Sequence, residues 1–249
     1  MADVLYQKEW FDEWFSSPYY EQLYASRNIA EADAFLQRLI HFLQPPPGSR
    51  MLDVACGKGR YSQVLAEMGF QVTGIDLSRP FIAAAKKQEK KNLHFFVHDM
   101  RYPFRENYFD YAFNFFTSFG YFQTIEEHYD ALKTIALSLL DKGIFVIDYL
   151  NVPYASDQLK AKEVKTSGQV NFQITRWQDP AFFYKQVEVD DRQNCYHHRF
   201  TEKVLKFTLP DFRQMLAWHK MYIRFVFGDY NLGPYKETNS PRLILIASK

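Results

Sequence analysis

The sequence predicts an α/β protein with a doubly wound parallel sheet and a small antiparallel β insertion. Between residues 50 and 150, short apolar runs typical of buried strands alternate with segments whose apolar residues recur at helical spacing. Apolar and polar residues then alternate one by one, which indicates half-buried antiparallel strands. We predict an N-terminal helical lid over 1–44, a core over 45–151 and 207–249, and an antiparallel β insertion over 152–206.

Composition excludes several classes of protein. The 249 residues suit one large domain or a domain with a sizeable insertion. Lys and Arg number 30 and Asp and Glu 29, a balance that argues against broad, unspecific nucleic-acid binding. Two cysteines are too few for a disulfide-rich scaffold or a four-cysteine zinc site. With no signal-peptide pattern and no long apolar run, we expect a cytoplasmic protein that binds neither nucleic acid nor membrane.

The helix boundaries follow from local signals. Aromatic residues recur at helical spacing before a break at Ser16-Ser17-Pro18. An apolar stripe from Ala32 to Leu43 predicts a longer helix, which Pro45-Pro46-Pro47-Gly48 ends because proline removes a backbone donor. The capping box Thr124-Ile125-Glu126-Glu127 predicts a helix to about Leu140.

The strands of the core are predicted from apolar runs bounded by turn residues. These runs are 51–56, 70–75, 93–97, 108–116 and 144–150, followed by a helix at 209–218 and strands at 222–227 and 243–247. Because the carboxyl ends of parallel strands meet at one edge of a sheet, ligands bind at that edge.

A glycine turn and three acidic residues fall at this edge. The stretch Asp53-Val54-Ala55-Cys56-Gly57-Lys58-Gly59 leads from the first strand into a helix, and its glycines let a ligand approach the main chain. Asp76 ends the second strand and can accept two hydrogen bonds from a ribose diol. Asp99 follows the third strand and can accept from an adenine amino group. The pattern predicts an adenosine-containing cofactor.

Two nucleotide-binding motifs are absent from the turn, and their absence limits the kind of nucleotide that it can bind. A dinucleotide site needs a third glycine, and Ser62 occupies that position. No G-K-[ST] follows the turn, which excludes a P-loop. An acid inside the first strand, Asp53, favours a cofactor with an amino group nearby. Two alternatives stay open: a nicotinamide-type (NAD) oxidoreductase and a non-catalytic cofactor-binding regulator.

Together these motifs resemble the class I S-adenosylmethionine-dependent methyltransferases. The resemblance implies a Rossmann-like, seven-stranded sheet whose last strand is antiparallel, with S-adenosylmethionine as cofactor and S-adenosylhomocysteine as product. It implies that Asp53 and the glycine turn hold the methionine part, Asp76 the ribose, and Asp99 with Met100 the adenine. Further cofactor-binding candidates are Tyr24, Arg27, Ala55, Cys56, Gly57, Gly59, Leu77, Phe115 and Phe116. Ala55 stands where the family often has glycine.

The acceptor is predicted to be a small molecule, methylated on N or O by in-line displacement. The run 227–245 is similar to that of small-molecule methyltransferases, sugar N-methyltransferases among them, in which an insertion also follows the fifth strand. After Asn114 the sequence lacks the prolines typical of enzymes that methylate nucleic-acid amino groups. Acceptor-binding candidates are Ser118, Tyr121, Tyr149, Tyr230 and Tyr235. We predict no metal site and assign no catalytic base. The insertion is expected to cover the acceptor or to form a homodimer contact.

Overall fold

The computed structural model describes residues 10–24 and 29–249 of the chain. They divide into a smaller unit of residues 10–24 and 159–206 and a larger unit of residues 29–158 and 207–249. The predicted N-terminal segment 1–44 is therefore split, because the helix at 29–43 packs its apolar stripe on the core of the larger unit.

The described residues form eight α-helices and eleven β-strands. The helices are α1 Trp10–Phe15, α2 Pro18–Tyr24, α3 Ile29–Leu43, α4 Arg60–Glu67, α5 Arg79–Ala85, α6 Ile125–Ser138, α7 Val152–Asp157 and α8 Leu209–Trp218. The strands are β1 Arg50–Val54, β2 Gln71–Asp76, β3 Leu93–Val97, β4 Phe109–Asn114, β5 Leu139–Leu150, β6 Lys162–Ser167, β7 Val170–Gln178, β8 Phe182–Asp191, β9 Tyr196–Leu205, β10 Tyr222–Phe227 and β11 Arg242–Ser248.

The larger unit is built on a seven-stranded sheet in the order β10-β11-β5-β4-β1-β2-β3. Strand β1 is parallel to both of its neighbours, β2 and β4, and β5 is parallel to β4. Strand β11 is antiparallel to both β5 and β10. This confirms the Rossmann-like sheet with an antiparallel last strand. Strands β1, β2 and β3 are adjacent, so their carboxyl ends lie side by side.

Side chains from both faces of the sheet are buried in the larger unit. Phe35, Leu36 and Leu39 of α3 pack on one face, in a cluster that includes Phe113 of β4 and Ile244 of β11. This burial explains the helical stripe in the sequence, because the residues three and four positions apart share one face. The predicted capping box begins α6: Thr124 Oγ1 accepts from Glu127 N, and Glu127 Oε2 accepts from Thr124 N.

Three element boundaries differ from the prediction. Strand β5 begins at Leu139, five residues early, because Leu139 pairs with Phe109 of β4 across a register shift. Strand β4 ends at Asn114, since Phe116 and Thr117 both have a φ of 58° and cannot continue a strand. Helix α5, which the sequence predicts from Pro80 to Lys90, ends at Ala85 and continues only as a short 3₁₀ turn.

The smaller unit is a four-stranded antiparallel sheet, β6-β7-β8-β9, with α1 and α2 packed against one face. Its core contains Trp14 and Leu23 of the helices against Phe172, Val187 and Phe200 of the strands. The predicted antiparallel insertion is thereby confirmed as a sheet. None of the helices in residues 10–24 and 29–249 is long and apolar enough to cross a membrane.

Candidate functional site

The chain between β1 and α4 makes a tight turn at the carboxyl edge of the sheet. Ala55, Gly57 and Gly59 have φ values of 61°, 57° and 77°, all in the left-handed region. The turn is closed by a hydrogen bond from Gly59 N to Cys56 O at 2.9 Å, and Cys56 N donates to Ile75 O at 3.0 Å. Ala55 adopts a left-handed conformation that glycine accepts more readily than alanine does.

Gly59 and Gly74 lie against other side chains, whereas Gly57 lies beside open space. A Cβ on Gly59 would lie 2.3 Å from the Phe95 ring, and one on Gly74 would lie 2.6 Å from the same ring and 2.8 Å from Cys56 Sγ. These two positions therefore let α4 and β2 approach β3 closely. A Cβ on Gly57 would meet nothing within 4 Å. The main chain at Gly57 is thus open to a ligand, as the predicted cofactor requires.

Asp53 presents a buried carboxyl next to the turn. Its side chain is almost inaccessible, with a relative exposure of 2% for the residue, and it accepts from Ser62 Oγ at 2.6 Å. Burial raises the pKa of Asp53 to about 6, and the negative charge of Asp76 adds to the effect. A positively charged group beside the carboxylate would offset the free-energy cost of burying its negative charge. Asp53 therefore fits a cofactor with an ammonium group.

Asp76 joins the turn to the start of α5. Its Oδ2 accepts from Gly57 N at 2.8 Å, and its Oδ1 accepts from Ser78 N at 2.8 Å. The two oxygens of an ionised carboxylate accept about four hydrogen bonds. Asp76 thereby fixes the turn, and its contact with a ribose diol stays a prediction. Leu77, the next residue, is half-buried.

Asp99 is held by the residue two positions after it. Arg101 Nη2 lies 2.7 Å from Asp99 Oδ2, Arg101 Nε lies 3.0 Å from the same oxygen, and Arg101 also pairs with Glu127. The Met100 carbonyl oxygen accepts from Thr134 Oγ1. The loop after β3 is thus fixed by its own contacts. The adenine-binding roles of Asp99 and Met100 stay predictions.

Phe115 and Phe116 follow β4 and face α3 and α4. Phe115 is buried and meets Phe35 of α3 edge to face, with ring centroids 5.8 Å apart. Phe116 stacks on Tyr61 of α4, with centroids 5.0 Å apart and planes inclined by 18°. The Tyr230 ring is also near Phe116, with centroids 5.6 Å apart and planes inclined by 59°. An aromatic wall therefore stands beside the glycine turn.

Two further residues at this edge were missed by the sequence analysis. Asp148 of β5 is fully buried, and its Oδ1 accepts from Arg242 Nε of β11 at 2.7 Å. Its Oδ2 accepts from Tyr230 Oη at 3.1 Å and from Phe116 N at 2.9 Å. Asp148 therefore secures the strained turn after β4. The available signal was an acid inside the apolar run Ile144–Leu150.

Tyr149 does not face this edge. It is fully buried on the opposite face of β5 from Asp148, because successive strand residues point to opposite faces. Its ring packs against Phe207 and Phe212, with centroids 6.3 and 5.1 Å away. The structure thus corrects the prediction that Tyr149 contacts the acceptor: the residue belongs to the core.

The other acceptor candidates lie in the loops after β4 and β10. Ser118 Oγ donates to Phe115 O at 2.8 Å, and Tyr121 is half-buried. Tyr235 Oη donates to Asn151 Oδ1 at 3.0 Å. Tyr230 Oη donates to Asp148 Oδ2 at 3.1 Å, and acceptor binding by these four residues stays a prediction.

Of the two N-terminal cofactor candidates, Tyr24 lies among the described residues and Arg27 does not. Tyr24 belongs to the smaller unit, where its ring centroid lies 4.6 Å from Lys185 Nζ. Arg27 lies outside the described residues. The cofactor contacts predicted for both residues stay predictions.

Comparison with known proteins identifies relatives of this fold and site. Residues 52–147 match the methyltransferase domain family. The putative methyltransferase YqeM of Bacillus subtilis (strain 168) is 27% identical over 217 residues, which is 82% of this chain and 85% of YqeM.

Solved structures share the fold at lower identity. An S-adenosylmethionine-dependent methyltransferase from Clostridium acetobutylicum superposes with a TM-score of 0.75 at 15% identity, over 92% of this chain and 95% of that one. The sugar N-methyltransferase KedS8 from Streptoalloteichus superposes with a TM-score of 0.71 at 20% identity, over 92% of each chain. The glycine turn and the strand-end acids therefore belong to a fold that these methyltransferases share.

Proposed function

We propose that this S-adenosylmethionine-dependent methyltransferase, whose residues 52–147 belong to the methyltransferase domain family, methylates a nitrogen or oxygen atom of a small molecule. The observation that carries the proposal is the arrangement of the glycine turn, Asp76 and Asp99 after three adjacent parallel strands. Gly57 leaves the main chain open there, and Asp76 accepts from it.

The chain's own residues would bind and orient the cofactor. Asp53 would hold the ammonium group, Asp76 the ribose diol, and Asp99 with Met100 the adenine. S-adenosylmethionine, when bound, supplies a methyl group activated on a sulfonium ion. Tyr61 and Phe116 offer aromatic faces beside the turn, and such faces stabilise a cation and exclude water.

Three observations support a small-molecule acceptor. KedS8, whose fold is similar, is a sugar N-methyltransferase. The chain has a nearly neutral charge balance, with no excess of basic residues for a nucleic-acid backbone. The turn after Asn114 carries Phe115 and Phe116 in place of prolines. Our proposal therefore excludes nucleic acid as a partner. We also propose that the protein binds no membrane and acts in the cytoplasm. The insertion is proposed either to cover the acceptor or to form a homodimer contact.

The proposal is tested by ligand binding and then by turnover. We expect S-adenosylmethionine and S-adenosylhomocysteine, but not NAD, to raise the melting temperature by a few degrees at about 100 times the dissociation constant. Labelled methyl transfer to a panel of amino sugars, amines and alcohols then tests the acceptor, with transfer RNA as the nucleic-acid arm. Stabilisation by NAD alone would overturn the cofactor assignment, and methylation of RNA alone would overturn the acceptor class.

Cofactor affinity should depend on pH through Asp53. Because the pKa of Asp53 is raised to about 6, its carboxyl is protonated in mild acid and ionised at neutral pH. Only the ionised form attracts an ammonium group, so affinity rises about tenfold per pH unit below the midpoint and levels off above it. Calorimetry with S-adenosylhomocysteine between about pH 5 and pH 7.5 measures this profile.

The control for this prediction is Asp53→Asn, which keeps the shape and removes the titration. We expect the variant to bind more weakly at neutral pH and to lose the midpoint near pH 6. Parallel profiles for the two proteins would contradict the assigned role of Asp53.

A further inference from the structure

Arg101 is a largely buried cation between the loop that follows β3 and the start of α6. Its side chain retains 13% of its accessible surface, and its guanidinium carbon lies 4.9 Å from the centroid of the Phe122 ring. Its Nη1 forms an ion pair with Glu127 Oε1. A cation at this depth is stable only where its partners are well placed. The ring and the carboxylate therefore fix the orientation of the guanidinium group.

Glu127, the partner of Arg101, is itself held by the backbone at the start of α6. Its Oε2 accepts from Gln123 N at 2.9 Å and from Thr124 N at 3.0 Å. Turning Arg101 away from Asp99 would therefore also break its ion pair with a carboxylate that is fixed to α6. This arrangement holds the guanidinium group against Asp99.

The carboxylate of Asp99 receives three N–H groups from Arg101. Its Oδ1 accepts from the backbone N of Arg101 at 2.9 Å, and its Oδ2 accepts from Nη2 at 2.7 Å. Nε lies between the two oxygens, 3.2 Å from Oδ1 and 3.0 Å from Oδ2. A carboxylate accepts about four hydrogen bonds. No further donor to Asp99 is present among residues 10–24 and 29–249, so about one acceptor position is left for a ligand.

The acceptor position left on Asp99 suits an N–H donor and no other polar group. An ionised carboxylate accepts hydrogen bonds but cannot donate one, so it pairs with an amino group and repels a carbonyl oxygen. Arg101 fixes the plane of this carboxylate through its fork of N–H groups. Without the fork the carboxylate can rotate, and the direction of its unused acceptor position is lost.

We propose that Arg101 is a positioning residue that makes the cofactor site select a purine with a 6-amino group, because it aims the remaining acceptor position of Asp99 at that group. Asp99 contacts the base, and Arg101 acts through Asp99. This inference rests on the proposed function, since it concerns the base of the cofactor bound at the same site. An arginine that only stabilised the fold would affect all purine ligands of the site equally.

The test compares two ligands of the full chain by calorimetry: S-adenosylhomocysteine and S-inosylhomocysteine, in which a carbonyl oxygen replaces the amino group. Arg101→Gln removes the charge and the fork, whereas Arg101→Lys keeps the charge and removes the fork. Arg50→Gln is the matched control. Arg50 also pairs with an aspartate, with Nε 3.6 Å from Asp110 Oδ2, and its guanidinium carbon lies 4.6 Å from the centroid of the Tyr108 ring. It begins β1, at the opposite edge of the sheet.

We expect the wild type to bind S-adenosylhomocysteine about 30-fold more tightly than S-inosylhomocysteine, as for one hydrogen bond to a charged group. This preference should fall to about threefold in Arg101→Gln, through loss of affinity for S-adenosylhomocysteine, and to an intermediate value in Arg101→Lys. It should be unchanged in Arg50→Gln. The chemical difference between the ligands is the same for every protein, so a change in the preference is due to the substituted residue.

Two results would overturn the inference alone: the wild type binds both ligands equally, or Arg101→Gln weakens both and keeps the wild-type preference. Both include binding of S-adenosylhomocysteine to the wild type, so the proposed function survives them. If Arg101→Gln does not fold, the preference of Arg101→Lys decides, and a wild-type value there overturns the inference. A wild-type chain that does not bind S-adenosylhomocysteine overturns the proposed function, and this inference with it.

Discussion

Asp76→Ala is expected to reduce the affinity for S-adenosylhomocysteine about 100-fold or more, since hydrogen bonds to a charged group contribute about 1.5–3 kcal/mol each. The substitution removes both proposed contacts with the ribose diol. It also leaves Gly57 N and Ser78 N without their acceptor, which loosens the turn that the cofactor would cover. Isothermal titration calorimetry measures the loss directly.

The matched control is Asp110→Ala. Asp110 lies near the amino end of β4, at the opposite edge of the sheet, and its Oδ2 accepts from Arg50 N at 2.8 Å. Its removal frees one backbone N–H group where Asp76→Ala frees two, so it controls for the loss of a side-chain acceptor to the backbone. Cofactor affinity should be unaffected. Equal affinity in Asp76→Ala and wild type would contradict the ribose-binding assignment.

The positions of the strand-end acids could be predicted because they depend on local signals. Asp76 and Asp99 each follow a short apolar run, and the parallel pairing of the three adjacent strands brings these ends together. Repeated strand and helix segments suffice to predict such pairing. Local residue patterns likewise predicted the turn at Gly57 and the capping box at Thr124.

The cluster around Asp148 could not be predicted because it depends on register between distant segments. Arg242 reaches Asp148 across 94 residues of sequence, through the antiparallel pairing of β11 with β5. A shift of one residue would place every side chain of a strand on its other face. The sequence pattern alone does not show which face of β5 borders the site, and for that reason Tyr149 was predicted there instead of Asp148.

Gly59→Ala should be the most destabilising of the substitutions considered. The residue has a φ of 77°, which costs a residue with a Cβ roughly 1–2 kcal/mol. The added Cβ would also lie 2.3 Å from the ring of Phe95, which is fully buried. Overpacking of this kind costs about 1–3 kcal/mol.

The expected result is a fall in melting temperature of roughly 5–15 °C, from about 2–4 °C per kcal/mol for a chain of this size. Gly57→Ala is the matched control, because its φ of 57° carries a similar backbone cost but its Cβ meets nothing within 4 Å. Gly57→Ala should therefore lose only the stability that the unfavourable backbone conformation costs, without the further loss from overpacking.

The pair also separates folding from binding. In Gly57→Ala the new methyl group would enter the open space over the turn, so we expect a folded protein whose affinity for S-adenosylhomocysteine is reduced. In the double variant Gly59→Ala with Phe95→Leu, the smaller side chain relieves the clash, and the two changes should be less than additive. Additive losses would show that strain of the backbone, rather than contact with Phe95, requires glycine at position 59.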